Sequence, residues 1–461
     1  MFMNKSLLMR KLSVLGVILF FCFSVTSVAQ TEEEVSVPSE SEKGVIKKKG
    51  WNFGALPTIT YSSDLGLQYG ALVNLFDYGE SSYPVYEQSL YLEVSRFTKG
   101  TGNNRFYWDT KKLIPGVRMM SDISYITDKA APLYGFNGYE SVYHPDFIDE
   151  DADEFVSKFF YNYQRSFLRA NVDFSWNIGN PHIKYFAGFN LLNFKVDRVD
   201  FDKLKKSDTT TLYDLYVANN IITEREKDGG FSTHLRLGAA FDTRNHEKTP
   251  SKGILTELML DISPDFLGNM NGFSHGVVAL SHKQFIPLLE NQRLIGVYRV
   301  VVQQKVFGEI PFFLSQNMNY IWLGRFVNEG VGGATTVRGI LKNSVIGDGA
   351  AFANVELRGI VTNFKFIKQN WSLYLNGFCD GGMVYDKRKI DFVALDADNP
   401  YFIQQGDDRF FTTGNDKPHL GAGMGLGLAM NRNFIIAADY GRALNKQDGK
   451  GAFYMGINFI L

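Results

Sequence analysis

The sequence has little cysteine, little net charge and no long apolar run beyond its first thirty residues, and each shortage excludes a class. Of its two cysteines, Cys22 lies in an apolar leader and Cys379 stands alone after it, so no disulfide framework can form within one processed chain. A formal net charge of −1 gives no global field toward nucleic acid. No stretch after residue 30 reaches the ~18 apolar residues of a membrane-spanning helix. The seven histidines show no H-x-x-H or H-E-x-x-H spacing, and there is no G-x-S-x-G elbow. The expectation is a non-enzyme with neither metal nor cofactor. What the chain does have is 15% aromatic residues and 44 glycines against 13 prolines. Many aromatics and many turns, without an apolar helix, fit an all-β protein.

The first 29 residues have the layout of a secretory signal peptide. Lys5, Arg10 and Lys11 precede the uncharged apolar stretch from Leu12 to Val25, and Ser27, Val28 and Ala29 offer small residues for cleavage before Gln30. Cys22 follows Phe21 where a lipoprotein signal needs a small residue, so lipidation is not expected. Residues 30–50 carry Glu32, Glu33 and Glu34 and then Lys47, Lys48 and Lys49, and read as a disordered periplasmic lead.

From Trp51 the hydrophobic pattern has period two. Leu168, Ala170, Val172, Phe174 and Trp176 alternate with Arg169, Asn171, Asp173, Ser175 and Asn177. Phe231 to Asp242 and Trp371 to Asp380 repeat the pattern. Strands of about ten residues with one apolar and one polar face are the signature of a barrel in lipid. Soluble sandwiches favour strands of about 5 or 6 residues. Sixteen segments are expected over 51–461, starting near residues 51, 65, 86, 104, 116, 165, 182, 231, 252, 274, 292, 350, 370, 418, 433 and 450. The long connections 129–164, 198–230, 308–349 and 386–417 all follow odd segments, while connections after even segments are short. With the N-terminus in the periplasm this puts long loops outside and short turns inside, the usual asymmetry of a Gram-negative outer-membrane barrel. Protease acting on intact cells should then nick 129–164 or 198–230 and spare 31–50.

Four stretches resemble the BamA superfamily, also called bacterial surface antigen barrels. Gly332-Gly333-Ala334-Thr335-Thr336-Val337-Arg338-Gly339-Ile340, after strand 11, resembles the family's Val-Arg-Gly-aromatic loop motif, with Ile340 where an aromatic is usual. Phe378-Cys379-Asp380-Gly381-Gly382 matches Phe-x-Asp-x-Gly on strand 13, and Asn354-Val355-Glu356-Leu357-Arg358 resembles the family's strand 12. Phe241-Asp242-Thr243-Arg244-Asn245, with Pro250 and Gly253, is similar to its turn after strand 8. The resemblance covers residues 51–461 and implies a long loop between strands 11 and 12 folded into the lumen. Arg338 would there meet Asp380 and Glu356, both on the polar face, through charge-assisted bonds. Val337, Gly339, Ile340, Phe378 and Gly382 complete that site. The family's POTRA array has no counterpart, so the chain resembles a short form lacking it. The ending Phe459-Ile460-Leu461 also departs from the usual aromatic terminus.

Other features are weighed on their residues. Gly421, Gly423, Gly425 and Gly427 share one face of strand 14, and four glycines there mark close approach of another backbone, expected to be the inward loop. Asp149, Asp151 and Asp153 imitate the start of a calcium loop, but Phe160 stands where the bidentate glutamate belongs, so a solvated loop is expected. His234 is read as a polar lining residue. The resemblance implies assembly or insertion of outer-membrane proteins, or surface export, in contact with lipid and with envelope partners or client barrels. The alternative is a porin-like channel lined by Arg169, Asp173, Arg236 and Glu257. Pro57 in strand 1, and Gly451 and Gly456 at strand 16, suggest a weak closing seam.

Overall fold

The computed structural model describes residues 49–63, 65–80, 85–204, 208–267, 269, 272–316, 330–366, 369–393, 395–404, 406–431 and 434–457. The expected signal peptide, nearly all of the lead and the terminal residues Phe459 to Leu461 lie outside them. Sixteen strands follow in order: β1 (Trp51–Ser62), β2 (Gly66–Asp77), β3 (Gln88–Phe97), β4 (Gly102–Ile114), β5 (Val117–Pro132), β6 (Asn162–Asn177), β7 (Ile183–Asp197) and β8 (Gly229–Asp242). The second half is β9 (Gly253–Ser263), β10 (His275–Pro287), β11 (Leu294–Gly308), β12 (Gly349–Phe366), β13 (Gln369–Asp386), β14 (His419–Met430), β15 (Phe434–Ala443) and β16 (Ala452–Ile457). Each pairs antiparallel with its sequence neighbours and β16 returns to β1, so the barrel is closed. Closure leaves no sheet edge to be desolvated in lipid.

Alternation explains why these segments become barrel strands. Along β6, Leu168 is exposed while Arg169 is buried, and along β8 Leu237 is exposed while Arg236 is buried. Val355 and Leu357 on β12, and Met424 and Leu426 on β14, face outward in the same way. Exposed apolar side chains over a buried charged interior invert the soluble pattern. That inversion is stable where the outer solvent is hydrocarbon.

The described residues of the long connections 133–161, 198–228, 309–348 and 387–418 pack together. Among them are three short helices: α1 (Phe201–Leu204), α2 (Leu212–Ala218) and α3 (Phe312–Ser315). Thr211 caps α2 in a reciprocal box with Asp214. Phe136, Phe160, Tyr213, Tyr216, Phe312, Phe313, Ile403 and Phe411 join one buried apolar cluster with Tyr163, Phe167 and Phe194 of the strands. Arg388 donates twice to Glu226, both at 3.1 Å, and to the Ile310 carbonyl at 2.7 Å. Glu226 also accepts from the Phe312 amide at 2.6 Å. Four connections are thereby fastened into a cap. Apolar residues of these connections are buried against one another. The run Asp149, Asp151 and Asp153 remains exposed.

Candidate functional site: an arginine hub, a loop cap and a thin seam

The segment 330–346, between β11 and β12, runs against the buried faces of the C-terminal strands. Arg338 is buried among three carboxylates. Its Nε donates to Asp380 Oδ2 at 2.8 Å and its Nη2 to Asp380 Oδ1 at 3.1 Å, a bidentate fork on β13. Its Nη1 reaches Glu356 Oε2 on β12 at 3.1 Å and Asp439 Oδ2 on β15 at 3.0 Å. The Arg338 amide adds a bond to Asp380 at 3.0 Å. The guanidinium carbon lies 3.5 Å from the centre of the Phe378 ring, so a face of the cation is covered by an aromatic. Arg358 supplies a second cation, donating twice to Glu356 Oε1 at 3.0 and 2.8 Å.

Neighbouring bonds hold the segment along its length. Arg299 on β11 donates to the Thr335 carbonyl at 2.6 Å, and Asn354 on β12 to the Thr336 carbonyl at 2.6 Å. The Gly339 amide donates to Tyr454 Oη on β16 at 3.2 Å. Val337 and Ile340 are fully buried with Val301, Val331, Val345, Phe352 and Val384, so an aliphatic side chain fills the place where an aromatic is usual. At Gly382 a Cβ would come within 2.6 Å of Val331 and 3.1 Å of Val337, which accounts for glycine there.

The four strand-14 glycines divide. At Gly421 a Cβ would lie 2.0 Å from the Arg338 carbonyl, so the segment's backbone does approach there. The other three correct the expectation, because what they accommodate is mainly something else. Gly423 makes room for the Phe378 ring and the Tyr440 carbonyl, Gly425 for Asp439 and Asn376, and Gly427 for the Tyr374 ring. The backbone contact continues instead at Gly441 on β15, packed against Gly339. Sequence reasoning missed Asp439, Tyr454 and Gly441. The available signal was the inward parity of Asp439, the one carboxylate of β15.

His234 donates or accepts at both ring nitrogens, 2.6 Å from Asp261 Oδ1 and 2.9 Å from Ser232 Oγ. The order serine–histidine–aspartate imitates a hydrolase triad. Yet all three are buried, Ser232 Oγ also contacts Ser263 Oγ at 3.0 Å, and the Thr233 amide is spent on Asn269 Oδ1 at 2.7 Å. That amide is therefore not free to stabilise an oxyanion. The lining expected of a channel is likewise buried and paired. Arg169 bonds Asp122 at 2.9 Å and Arg236 bonds Asp173 at 2.9 Å, with Glu257 also buried.

The closing seam is thin. Among the described residues β1 pairs with β16 only at Tyr61 with Met455 and Ser62 with Tyr454, whereas all twelve residues of β1 pair with β2 and all six of β16 with β15. Ser63 adds an amide bond to the Phe453 carbonyl at 2.9 Å.

These features define a sixteen-stranded outer-membrane barrel with a loop-borne arginine bonded to three of its strands. Residues 139–460 match the Omp85 superfamily domain, and the chain belongs to that superfamily. No curated protein sequence matches it. Among solved structures it is similar to BamA from Haemophilus ducreyi lacking POTRA domains 1–3, at 14% identity and a TM-score of 0.51, over 89% of this chain and 70% of that one. It is also similar to CdiB from Escherichia coli, at 10% identity and a TM-score of 0.53, over 90% of this chain and 64% of that one. At such identity the likeness is one of fold.

Proposed function

We propose that this barrel takes part in assembly or surface export of outer-membrane proteins, and that the β1–β16 seam is its active element. The observation that carries the reading is that, among the described residues, the seam has two pairs in a barrel otherwise paired at length. A weakly paired edge can part toward lipid and accept a client strand by β-augmentation. The N-terminus faces the periplasm, the cap faces outward, and envelope partners deliver clients. The segment around Arg338, with Glu356, Phe378, Asp380 and Gly382, acts as a lumenal lock rather than a catalytic centre. The buried, paired interior and the packed cap weigh against the alternative, a porin-like channel.

The test is a disulfide between Tyr61→Cys and Met455→Cys, which face one another in register. In cells depleted of the native copy, the oxidised variant should fail to support assembly or export of β-barrel proteins, with reduction restoring it. If the oxidised variant works fully while bulky lumenal substitutions abolish activity, the channel reading replaces this one.

A further inference from the structure

The outer surface changes character near the cap end of β3 and β5. Outward positions on β3 run Leu92, Val94 and Arg96, and on β5 Ile123, Tyr125, Thr127 and Lys129. Both strands pass from exposed apolar side chains to exposed cations. Between them, the turn 98–101 joining β3 to β4 carries Lys99, also exposed. Two glycines make room for two of the cations. The stem of Lys129 lies across Gly100, 2.9–3.1 Å from where a Cβ would stand, and Arg96 Cδ and Nε lie 3.1 and 3.2 Å from that position on Gly102. Arg96 donates to the Ser95 carbonyl at 2.7 Å and to Asn104 Oδ1 at 3.2 Å, and Lys99 to the Ser63 carbonyl at 2.6 Å. Among the described residues no carboxylate lies within 4.0 Å of any of the three.

Three cations with no carboxylate partner among the described residues, directly above an apolar band, sit where acyl chains give way to headgroups. Neutral donors would serve equally well to meet water. Guanidinium and ammonium groups together match phosphate oxygens, through planar hydrogen bonds and point charge respectively. We propose that Arg96, Lys99 and Lys129 form a binding site for the phosphates of an anionic lipid headgroup in the leaflet at the cap end of the barrel. Lipid bound there would hold the barrel's height and tilt at β3–β5.

Native mass spectrometry of the barrel in neutral detergent tests this with phosphatidylglycerol, lipid A and zwitterionic phosphatidylcholine as probes. Wild type should retain the two anionic lipids over phosphatidylcholine. Each cation removed should weaken retention about fivefold, so Arg96→Gln/Lys99→Gln/Lys129→Gln loses roughly a hundredfold. Lys195→Gln, an exposed cation on β7, should change nothing. Gel mobility before heating checks folding, and Lys129→Gln alone carries the test should the triple variant fail it. Three outcomes overturn the proposal. The triple variant, or the single one if only that folds, retains anionic lipid like wild type. Lys195→Gln weakens retention as much as Lys129→Gln, which means diffuse charge. Millimolar inorganic phosphate displaces the lipid, which means a free-anion site.

Discussion

Arg338→Ala removes four side-chain bonds from the barrel interior and leaves three carboxylates facing one remaining cation, Arg358. Asp380 would keep the residue-338 amide, Glu356 would keep Arg358, and Asp439 would keep Asn376 Nδ2 at 3.2 Å. Losing one partner of a buried pair costs roughly 3–5 kcal/mol. With about 2 °C per kcal/mol for a chain of this size, the midpoint should fall by roughly 6–10 °C at pH 7. Gel mobility of the folded band, followed through a temperature ramp in detergent, reads it. An unchanged midpoint would refute the reasoning.

Gly421→Ala should lower the same midpoint, since its Cβ would meet the Arg338 carbonyl at 2.0 Å, an overpacking worth about 1–3 kcal/mol. Gly377→Ala, with nothing within 4 Å, should leave the midpoint unchanged. The cap should loosen in acid. Burial pushes the Asp416 carboxyl up, but the hydrogen bond and charge of His419, with the amides of Tyr139 and Val384, outweigh it and hold it below the usual carboxylate range. A depressed carboxyl stabilises above its unfolded value near 4 and loses that contribution as pH falls through the folded value. Pepsin cleavage within 387–418 should therefore rise from about pH 4 to pH 2 in wild type, and Asp416→Asn should flatten the rise.

The barrel was legible because lipid outside and a packed polar interior force each strand to alternate, as Leu168 and Arg169 do in β6. Strand starts follow the period to within three residues, and the largest shifts fall where a loop joins the core, as at Asn162. The cap was not legible. Phe136, Phe160, Tyr216 and Phe312 lie in segments without period, and only packing between distant connections reveals them as core. Asp439 was missed for a related reason. It stands 101 residues from Arg338, and no spacing within β15 says which loop it meets. The strand-14 glycines show the converse limit. Their shared face could be read from parity, but what fills the space beside each could not, and an aromatic ring demands the same missing Cβ as a backbone does.

The interior bonds also bear on where such a barrel can open. Arg338 joins β12, β13 and β15 through Glu356, Asp380 and Asp439, and the next residue, Gly339, reaches β16 through Tyr454. Gly441 brings β15 against the same segment. The segment thus ties β12 to β16 together, while among the described residues β16 meets β1 at two residue pairs. A strain applied to the wall would meet six paired residues and an internal tether between β15 and β16, but only the seam between β16 and β1. Separation should fall at that seam and leave β16 with the C-terminal strands. Among the described residues the segment's bonds span β12 to β16, so the barrel's most sparsely paired join lies beside strands that are braced a second time.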